Sequence, residues 1–245
     1  MTPEIELAFS NIKDRYGSES ISRVESMLDP ANQNRHPLQK EARWVLPGLT
    51  SKPWHDPYEH PELAPFVRKL EVLHPRIKAE VLRAVEAGTG VDRYDHYKVS
   101  DDRWQAIYLF RGGAPVEASR ELVPTTFRFM EEDLGDWLCP LLEMHFSMLS
   151  PHTRIPPHCD LWNFTINLHL AVSIPEDCGI RVANETRQWD EGKCLLFDYS
   201  YRHQAWNDSD RHRICLLMDL WNPEVTAPER EALVALITEI RKLMG

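Results

Sequence analysis

The sequence lacks any long run of lysines and arginines, and its formal net charge is −10. Proteins that bind nucleic acid need clustered basic side chains, because these neutralise the phosphates. We therefore expect no nucleic-acid partner for this protein.

The features of secreted and membrane proteins are also scarce. No apolar segment follows Met1, and no stretch approaches the roughly 20 apolar residues of a membrane span. The cysteines are odd in number and contain no C-x-x-C pair, which indicates free thiols in a reducing compartment. They are Cys139, Cys159, Cys178, Cys194 and Cys215. We therefore expect a soluble, cytoplasmic protein with no membrane partner.

Length and composition indicate one domain. The chain has 245 residues, 42% of them hydrophobic, and it contains eight tryptophans, so a substantial core is possible. No internal repeat or low-complexity tract divides it. We expect a single domain over 1–245, made of a helical N-terminal buttress (1–100), a β core (101–225) and a C-terminal helix (226–245).

Helical signals lie near both ends of the chain. A capping hydroxyl at Thr2, a proline and an acidic residue form a good helix start. Residues 125–142 are expected to be helical or irregular. The apolar spacing predicts helices over about 3–16, from Ser18 or Ser20 onward, over 61–87 with a kink or break near Pro75, and over 228–244.

The middle of the chain contains many short strand-like runs separated by turn signals. With no helices between them, they indicate an antiparallel sandwich or barrel. The fold class expected is therefore mainly β with helical buttresses. The predicted strands are 104–110, 144–149, 164–173, 179–183, 193–198, 202–206 and 212–221, and a short strand followed by a loop is expected after Trp44.

A candidate metal site begins with His158 and Asp160, to which His203 is added from far downstream. Two imidazoles and a carboxylate with open positions are the ligand set of non-haem Fe(II) oxygenases. Residues i and i+2 of an extended segment point to one side, so His158 and Asp160 can bind one ion together. The alternatives are a simple hydrogen-bonded His–Asp pair and a zinc site. A closed structural zinc site usually has four ligands including thiolates, and Cys159 is expected to point to the opposite face.

Arg213 and Ser147 are candidates to bind an anion. His203 and Arg213 flank a polar turn at 207–210, and we expect them on the two arms of a hairpin. A guanidinium in this position can hold the far carboxylate of 2-oxoglutarate by a bidentate pair. The alternative for Arg213 is a surface arginine beside Arg211.

Further polar residues extend the candidate site. Asn167 and His169 share one face of an apolar strand and need partners, which a co-substrate carboxylate can supply. A satisfied core histidine is the alternative for His169. Trp162, Asn163 and Arg181 are candidates for the substrate side, with core packing, a surface turn and a salt bridge as the alternatives.

From about residue 45 to 224, the sequence resembles the aspartyl/asparaginyl β-hydroxylase family of Fe(II)/2-oxoglutarate oxygenases. The matching segments are P-G-L-T-S-K-P-W, R-W-Q-A-I-Y-L-F-R-G-G, F-S-M-L-S-P-H-T-R-I-P-P-H and D-L-W-N-P-E, and the densest match is I-R-V-A-N-E-T-R-Q-W-D-E-G-K-C-L-L-F-D-Y-S-Y-R-H-Q-A-W-N. The resemblance implies a double-stranded β-helix (jelly-roll, cupin-like) core with His158 and His203 on iron. It also implies that Ser147 and Arg213 hold the far carboxylate of 2-oxoglutarate and His169 the near one.

Two residues depart from the family pattern. The animal protein hydroxylases of the family resemble H-x-G at the metal motif, whereas this chain has Asp160. They also have an arginine at the position of Asn167.

The expected activity is dioxygen-dependent oxidation of an unactivated C–H, with β-hydroxylation the expected outcome. The expected substrate is a free, carrier-bound or peptide-bound amino acid or a related small molecule. Alternatives are hydroxylation of Asp or Asn in a protein, cyclisation or desaturation by the same chemistry, a zinc hydrolase, and a metal-free binding protein.

Overall fold

The computed structural model describes residues 1–32, 35–94 and 103–244. The predicted boundary between the N-terminal buttress and the β core, at 100–101, lies outside the described residues, and so does residue 245. No helix within the described ranges combines the length and the apolar character that crossing a membrane requires.

The helices pack as buttresses around the β core. Thr2 caps the first helix, and its Oγ1 accepts a hydrogen bond from the Ile5 N–H at 3.4 Å. The third helix continues through Pro75, so the predicted break is absent. The helices are α1 (Pro3–Tyr16), α2 (Ser22–Leu28), α3 (Ala64–Glu86), α4 (Ser119–Leu122), α5 (Pro124–Phe129) and α6 (Ala227–Met244). A π-helical turn at Met130–Leu134 and short 3-10 turns, among them Gly135–Trp137, account for the irregular part of 125–142.

The described strands form two antiparallel sheets. The larger has the order β1-β10-β7-β12-β5-β3-β2 with β4 beside β3, and the smaller has the order β6-β11-β8-β9. The strands are β1 (Trp54–His55), β2 (Asp92–Arg93), β3 (Trp104–Arg111), β4 (Ala114–Pro115), β5 (Met144–Leu149), β6 (Thr153–His158), β7 (Thr165–Ser173), β8 (Cys178–Val182), β9 (Glu185–Arg187), β10 (Cys194–Phe197), β11 (His203–Asn207) and β12 (Arg213–Trp221).

Both faces of the larger sheet are buried. One face packs on α3 and α5 through alternate apolar residues such as Leu168 and Leu216. The opposite face turns toward the smaller sheet, and Ala171 and Cys215 share a cluster there with Ile155 and Ile180. Two antiparallel sheets packed face to face in this way form the double-stranded β-helix expected from the sequence, with helical buttresses outside it.

A strand is missing from the predicted set, and one predicted pairing of strands is wrong. Strand β6 is absent from the predicted set because Pro156 and Pro157 interrupt its pattern. The fold tolerates them because β6 is the edge of the smaller sheet, where missing N–H donors need no partner strand. Strands β11 and β12 do not form a hairpin. They lie in different sheets, because the turn at 207–210 crosses from one sheet to the other.

Candidate active site

Three predicted metal ligands meet at one end of the smaller sheet. His158 ends β6 and His203 begins β11, and the two residues face each other in the strand register. Their ring centroids are 4.2 Å apart. Asp160 follows just beyond β6, where its N–H donates to the Tyr199 carbonyl at 3.0 Å. One ligand atom from each of the three residues lies within 4.8 Å of the others, so the group has the dimensions of a metal site.

The backbone orients both imidazoles. Nδ1 of His158 lies 2.7 Å from the Pro156 carbonyl oxygen, and Nδ1 of His203 lies 2.9 Å from that of Tyr201. A carbonyl only accepts, so each Nδ1 carries the proton and each Nε2 presents its lone pair. His203 Nε2 lies 3.5 Å from Asp160 Oδ2. Cys159, as expected, turns away, and its thiol donates to the Leu38 carbonyl at 3.5 Å.

A cavity of about 360 Å³ between the two sheets joins these residues to the other candidates. The larger sheet contributes one wall of the cavity through strands β5, β7, β10 and β12, and the smaller sheet contributes the predicted metal ligands. Among its lining residues are Ser147, Asn167, His169, Arg213 and Asp219.

Arg213 and Ser147 form a polar end of this cavity. The Arg213 side chain is 2% exposed, and its Nε and Nη1 have no hydrogen-bond partner among the described residues. Its guanidinium lies over the ring of Trp189, 4.8 Å from the centroid. Ser147 Oγ accepts a hydrogen bond from Trp104 Nε1 at 2.9 Å. The burial of Arg213 removes the alternative of a surface arginine.

Two buried histidines stand on the cavity side of the larger sheet. Burial, followed by the charge of Arg213, holds the pKa of His169 well below its usual range. Neither ring nitrogen of His169 has a partner among the described residues, so it is not a satisfied core histidine. The second is His145, which the sequence analysis missed. Burial, with smaller contributions from Arg111 and Arg213, lowers its pKa to about 3. Its signal in the sequence is its position two residues before Ser147 on the same strand face.

Asn167 and Asp219 form a buried polar pair on adjacent strands. Asn167 Nδ2 donates to Asp219 Oδ1 at 2.7 Å, and the other carboxylate oxygen accepts from the Glu143 N–H at 3.3 Å. Burial raises the pKa of Asp219 to about 7. Asp219 was not among the predicted site residues, although an acidic residue inside the apolar run of β12 was a visible signal.

The three residues predicted for the substrate side have other roles. None of them lines the cavity. Trp162 stacks on Phe164, with ring centroids 5.0 Å apart, inside the core beneath α1 and α6. The Asn163 side chain holds both backbone groups of Leu46, at 2.7 and 3.1 Å. Arg181 is exposed on β8 and donates to the Ala183 carbonyl at 3.3 Å.

Comparison with known proteins gives a family match over most of this site. The family model described as aspartyl/asparaginyl beta-hydroxylase matches residues 73–223. The chain is 32% identical over 194 residues to aspartyl/asparaginyl beta-hydroxylase of Mus musculus, a match that covers 77% of this chain and 26% of the relative. It is 32% identical over 168 residues to ornithine lipid ester-linked acyl 2-hydroxylase of Rhizobium tropici, covering 65% of this chain and 58% of that relative. The chain therefore spans about a quarter of the mouse protein and less than two thirds of the bacterial one.

Solved structures with a related arrangement are distant. A prolyl-4-hydroxylase from Pseudomonas putida matches with a TM-score of 0.41 and 18% identity, covering 70% of this chain and 94% of that chain. An oxidoreductase of the 2OG-Fe(II) oxygenase family from Burkholderia pseudomallei matches with a TM-score of 0.40 and 10% identity, covering 58% and 78%.

Proposed function

The chain belongs to the aspartyl/asparaginyl β-hydroxylase family, and from that premise we propose that it is an Fe(II)/2-oxoglutarate-dependent oxygenase. Its substrate is an amino acid or an amino-acid-derived small molecule, and its reaction is oxidation of an unactivated C–H, with β-hydroxylation as the outcome. The observation that carries the proposal is the group of His158, Asp160 and His203 facing a buried arginine across one cavity.

The three ligand residues fit Fe(II). Both Nε2 atoms are presented by backbone hydrogen bonds at Nδ1, and one carboxylate completes a two-histidine, one-carboxylate set with open positions. A closed zinc site usually has thiolate ligands, and the one adjacent thiol, Cys159, points away. When bound, Fe(II) and 2-oxoglutarate together use dioxygen to supply the oxidant for the C–H bond, with succinate and carbon dioxide as co-products.

The polar end of the cavity fits the far carboxylate of 2-oxoglutarate. Arg213 is a buried cation with two nitrogens that have no partner among the described residues, and such a group needs an anion. Ser147 lies beside it in the register, opposite Cys215 of β12. His169 is neutral because burial lowers its pKa, so its single ring N–H can donate to the near carboxylate.

The remaining residues of the site exclude water and hold orientation. Trp189 covers the Arg213 guanidinium, and its ring stacks on that of His169 at 6.1 Å between centroids. Phe197 packs edge-on against His169 at 5.0 Å. These aromatic contacts keep both co-substrate-binding side chains in fixed positions, which strengthens their hydrogen bonds in a dry site.

The test is oxygen-dependent formation of succinate from 2-oxoglutarate by purified protein with Fe(II), in the presence of a panel of amino acids and peptides. The wild type is expected to form succinate, with one panel member gaining an oxygen atom by mass spectrometry. His158→Ala is expected to lose this activity. The matched control is His152→Ala, which removes an exposed histidine paired with Asp210 at 2.9 Å outside the cavity.

The alternatives predict different results. The first alternative, hydroxylation of aspartate or asparagine in proteins, is supported by the name of the mouse relative. It predicts that only the peptides of the panel gain oxygen. A zinc hydrolase predicts activity without dioxygen or 2-oxoglutarate. A metal-free binding protein predicts no stoichiometric Fe(II) and ligand binding that survives His158→Ala. Either the zinc-hydrolase result or the metal-free result would overturn the oxygenase proposal.

A further inference from the structure

The two ends of the cavity differ in the hydrogen-bonding groups that they offer. The end with Arg213, His169 and Ser147 presents donors, because the Ser147 hydroxyl accepts from Trp104 Nε1 and keeps its own O–H to donate. The Asn167–Asp219 pair presents acceptors, because Asn167 uses its Nδ2 to reach the Asp219 carboxylate. An anionic co-substrate bound at the first end leaves the second end for a different kind of group.

Asn167 Oδ1 is the first sign of a missing ligand. The Asn167 side chain lines the cavity and is only 3% exposed, yet its carbonyl oxygen has no hydrogen-bond partner among the described residues. An unpaired buried acceptor loses its hydrogen bonds to water without replacing them, which destabilises the folded protein. Such an atom at the wall of a cavity therefore indicates a donor that arrives with the ligand.

Asp219 is the second sign. It is 8% exposed and accepts two hydrogen bonds from neutral groups, the Asn167 amide and the Glu143 backbone N–H. No arginine, lysine or histidine of the described residues forms an ion pair with it. A buried carboxylate without a cationic partner favours a cation that enters the cavity.

The basic residues near this end are already engaged by protein acceptors. Arg111 Nε lies 3.2 Å from Glu143 Oε1, and Arg241 Nη2 donates to the Leu141 carbonyl at 2.8 Å. Both arginines line the cavity. Neither arginine forms an ion pair with Asp219 among the described residues, so the acceptor character of the wall is retained.

We propose that the Asn167–Asp219 pair is the substrate-binding element of this cavity and that it takes a protonated amino group of the substrate. Asn167 Oδ1 and the Asp219 carboxylate are the two acceptors for its N–H donors. The inference rests on the proposed function, because it names the group by which the proposed substrate is held. It also moves Asn167 from the co-substrate, to which the sequence analysis assigned it, to the substrate.

The test compares three probes that share one carbon chain: butylammonium, butanol and butyrate. They differ only in a terminal cation, a neutral donor and an anion. Their binding is followed by the shift of the unfolding midpoint, without oxygen, with Fe(II) and saturating 2-oxoglutarate, which keeps butyrate away from Arg213. We expect the half-saturating concentration of butylammonium to be at least about tenfold below that of butanol, with butyrate the weakest.

Two variants make the comparison specific. Asp219→Asn keeps the shape of the side chain and removes its charge, and is expected to abolish the preference for butylammonium over butanol. Asp198→Asn is the matched control, because Asp198 is also a buried aspartate, accepts a hydrogen bond from the Ser200 hydroxyl and does not line the cavity. It should retain the preference. If Asp219→Asn fails to fold, the order of the three probes on the wild type still decides the question.

The failures of the two proposals can be told apart. If 2-oxoglutarate does not bind, the oxygenase proposal fails, and the same probes are then measured on Arg213→Met protein, where butyrate has no buried guanidinium to bind. Three results on either protein would overturn the assignment of the amino group. Butyrate could bind as strongly as butylammonium or more strongly, or no probe could bind. The third is a preference for butylammonium over butanol that survives Asp219→Asn.

Discussion

Replacing Arg213 by methionine separates the stability of the protein from its affinity for 2-oxoglutarate. Arg213 is a buried cation whose Nε and Nη1 have no partner among the described residues. Without ligand, a buried charge of this kind costs desolvation, and methionine fills similar space without that cost. We expect the ligand-free variant to be as stable as the wild type or more stable by about 1 kcal/mol.

The loss of affinity has the opposite sign and is larger. Removing one partner of a buried, hydrogen-bonded charge pair costs about 3–5 kcal/mol. Since about 1.4 kcal/mol changes a dissociation constant tenfold, Arg213→Met should weaken 2-oxoglutarate binding at least about 100-fold. At a ligand concentration about 100 times the wild-type Kd, binding stabilises the wild type by about 2.7 kcal/mol and the variant by about 0.4 kcal/mol.

The assay is thermal unfolding of Fe(II)-loaded protein without oxygen, with and without 2-oxoglutarate. For a chain of this size, the difference in stabilisation corresponds to about 5–10 °C in Tm. Arg181→Met is the matched control, because Arg181 is exposed on β8 and lies outside the cavity. It should keep the full ligand-dependent shift.

Two results would refute the reasoning about Arg213. One is a variant that retains the ligand-dependent shift of the wild type, since the guanidinium would then not hold the co-substrate. The other is a ligand-free variant that unfolds several degrees below the wild type, since Arg213 would then be part of the structural core.

Three further predictions concern the metal, the co-substrate and pH. Asp160→Ala should lower the affinity for Fe(II) by at least about 10-fold in a metal titration, and full affinity would show that the two histidines suffice. Trp189→Leu should raise the KM for 2-oxoglutarate about tenfold with a smaller change in kcat, because a buried cation–π contact contributes about 1–2 kcal/mol. Trp189→Phe keeps an aromatic ring and should show a smaller rise in KM. An equal rise in KM for the two variants would count against a positioning role for Trp189. Burial raises the pKa of Asp198 to about 7. The folded protein therefore keeps a proton that the unfolded chain releases near pH 4. Because of this difference, the Asp198 carboxyl lowers the unfolding free energy as pH rises between those two values. In denaturant titrations, the unfolding free energy of Asp198→Asn relative to the wild type should therefore rise by about 1 kcal/mol per pH unit between about pH 5 and pH 7, and a constant difference would contradict it.

Much of the secondary structure could be predicted from local patterns. The alternation in 164–173 and the apolar run in 212–221 gave strands β7 and β12 to within one residue, and α1 begins where Thr2 and Pro3 indicate. These patterns are read within one segment, because the period of two or 3.6 residues records which side of that segment is buried. Strand β6 escaped because its prolines are tolerated only at a sheet edge, and the position of a strand within a sheet is not a local property.

The types of residue in the candidate site were also visible before the fold. His158, Asp160 and His203 were grouped because two imidazoles and one carboxylate form a known ligand set, and the structure brings them within reach of one ion. The surroundings of Arg213 could not be predicted from the sequence. Its cavity position depends on β11 and β12 lying in opposite sheets, whereas the polar turn between them suggests a hairpin. Trp162 and Asn163 show the reverse case, since both were candidates for the substrate side and packing turned them into the core.

The order of residues along the chain was thus sufficient for most of the elements, the candidate metal-binding residue types and the family. Tertiary structure decided which polar groups face each other across the cavity. Within the part of the chain that the structure describes, it left the Asn167 carbonyl oxygen without a partner and Asp219 without a cation. The reason is that burial and hydrogen-bond satisfaction depend on contacts between strands distant in sequence. No periodicity within a single segment records those contacts.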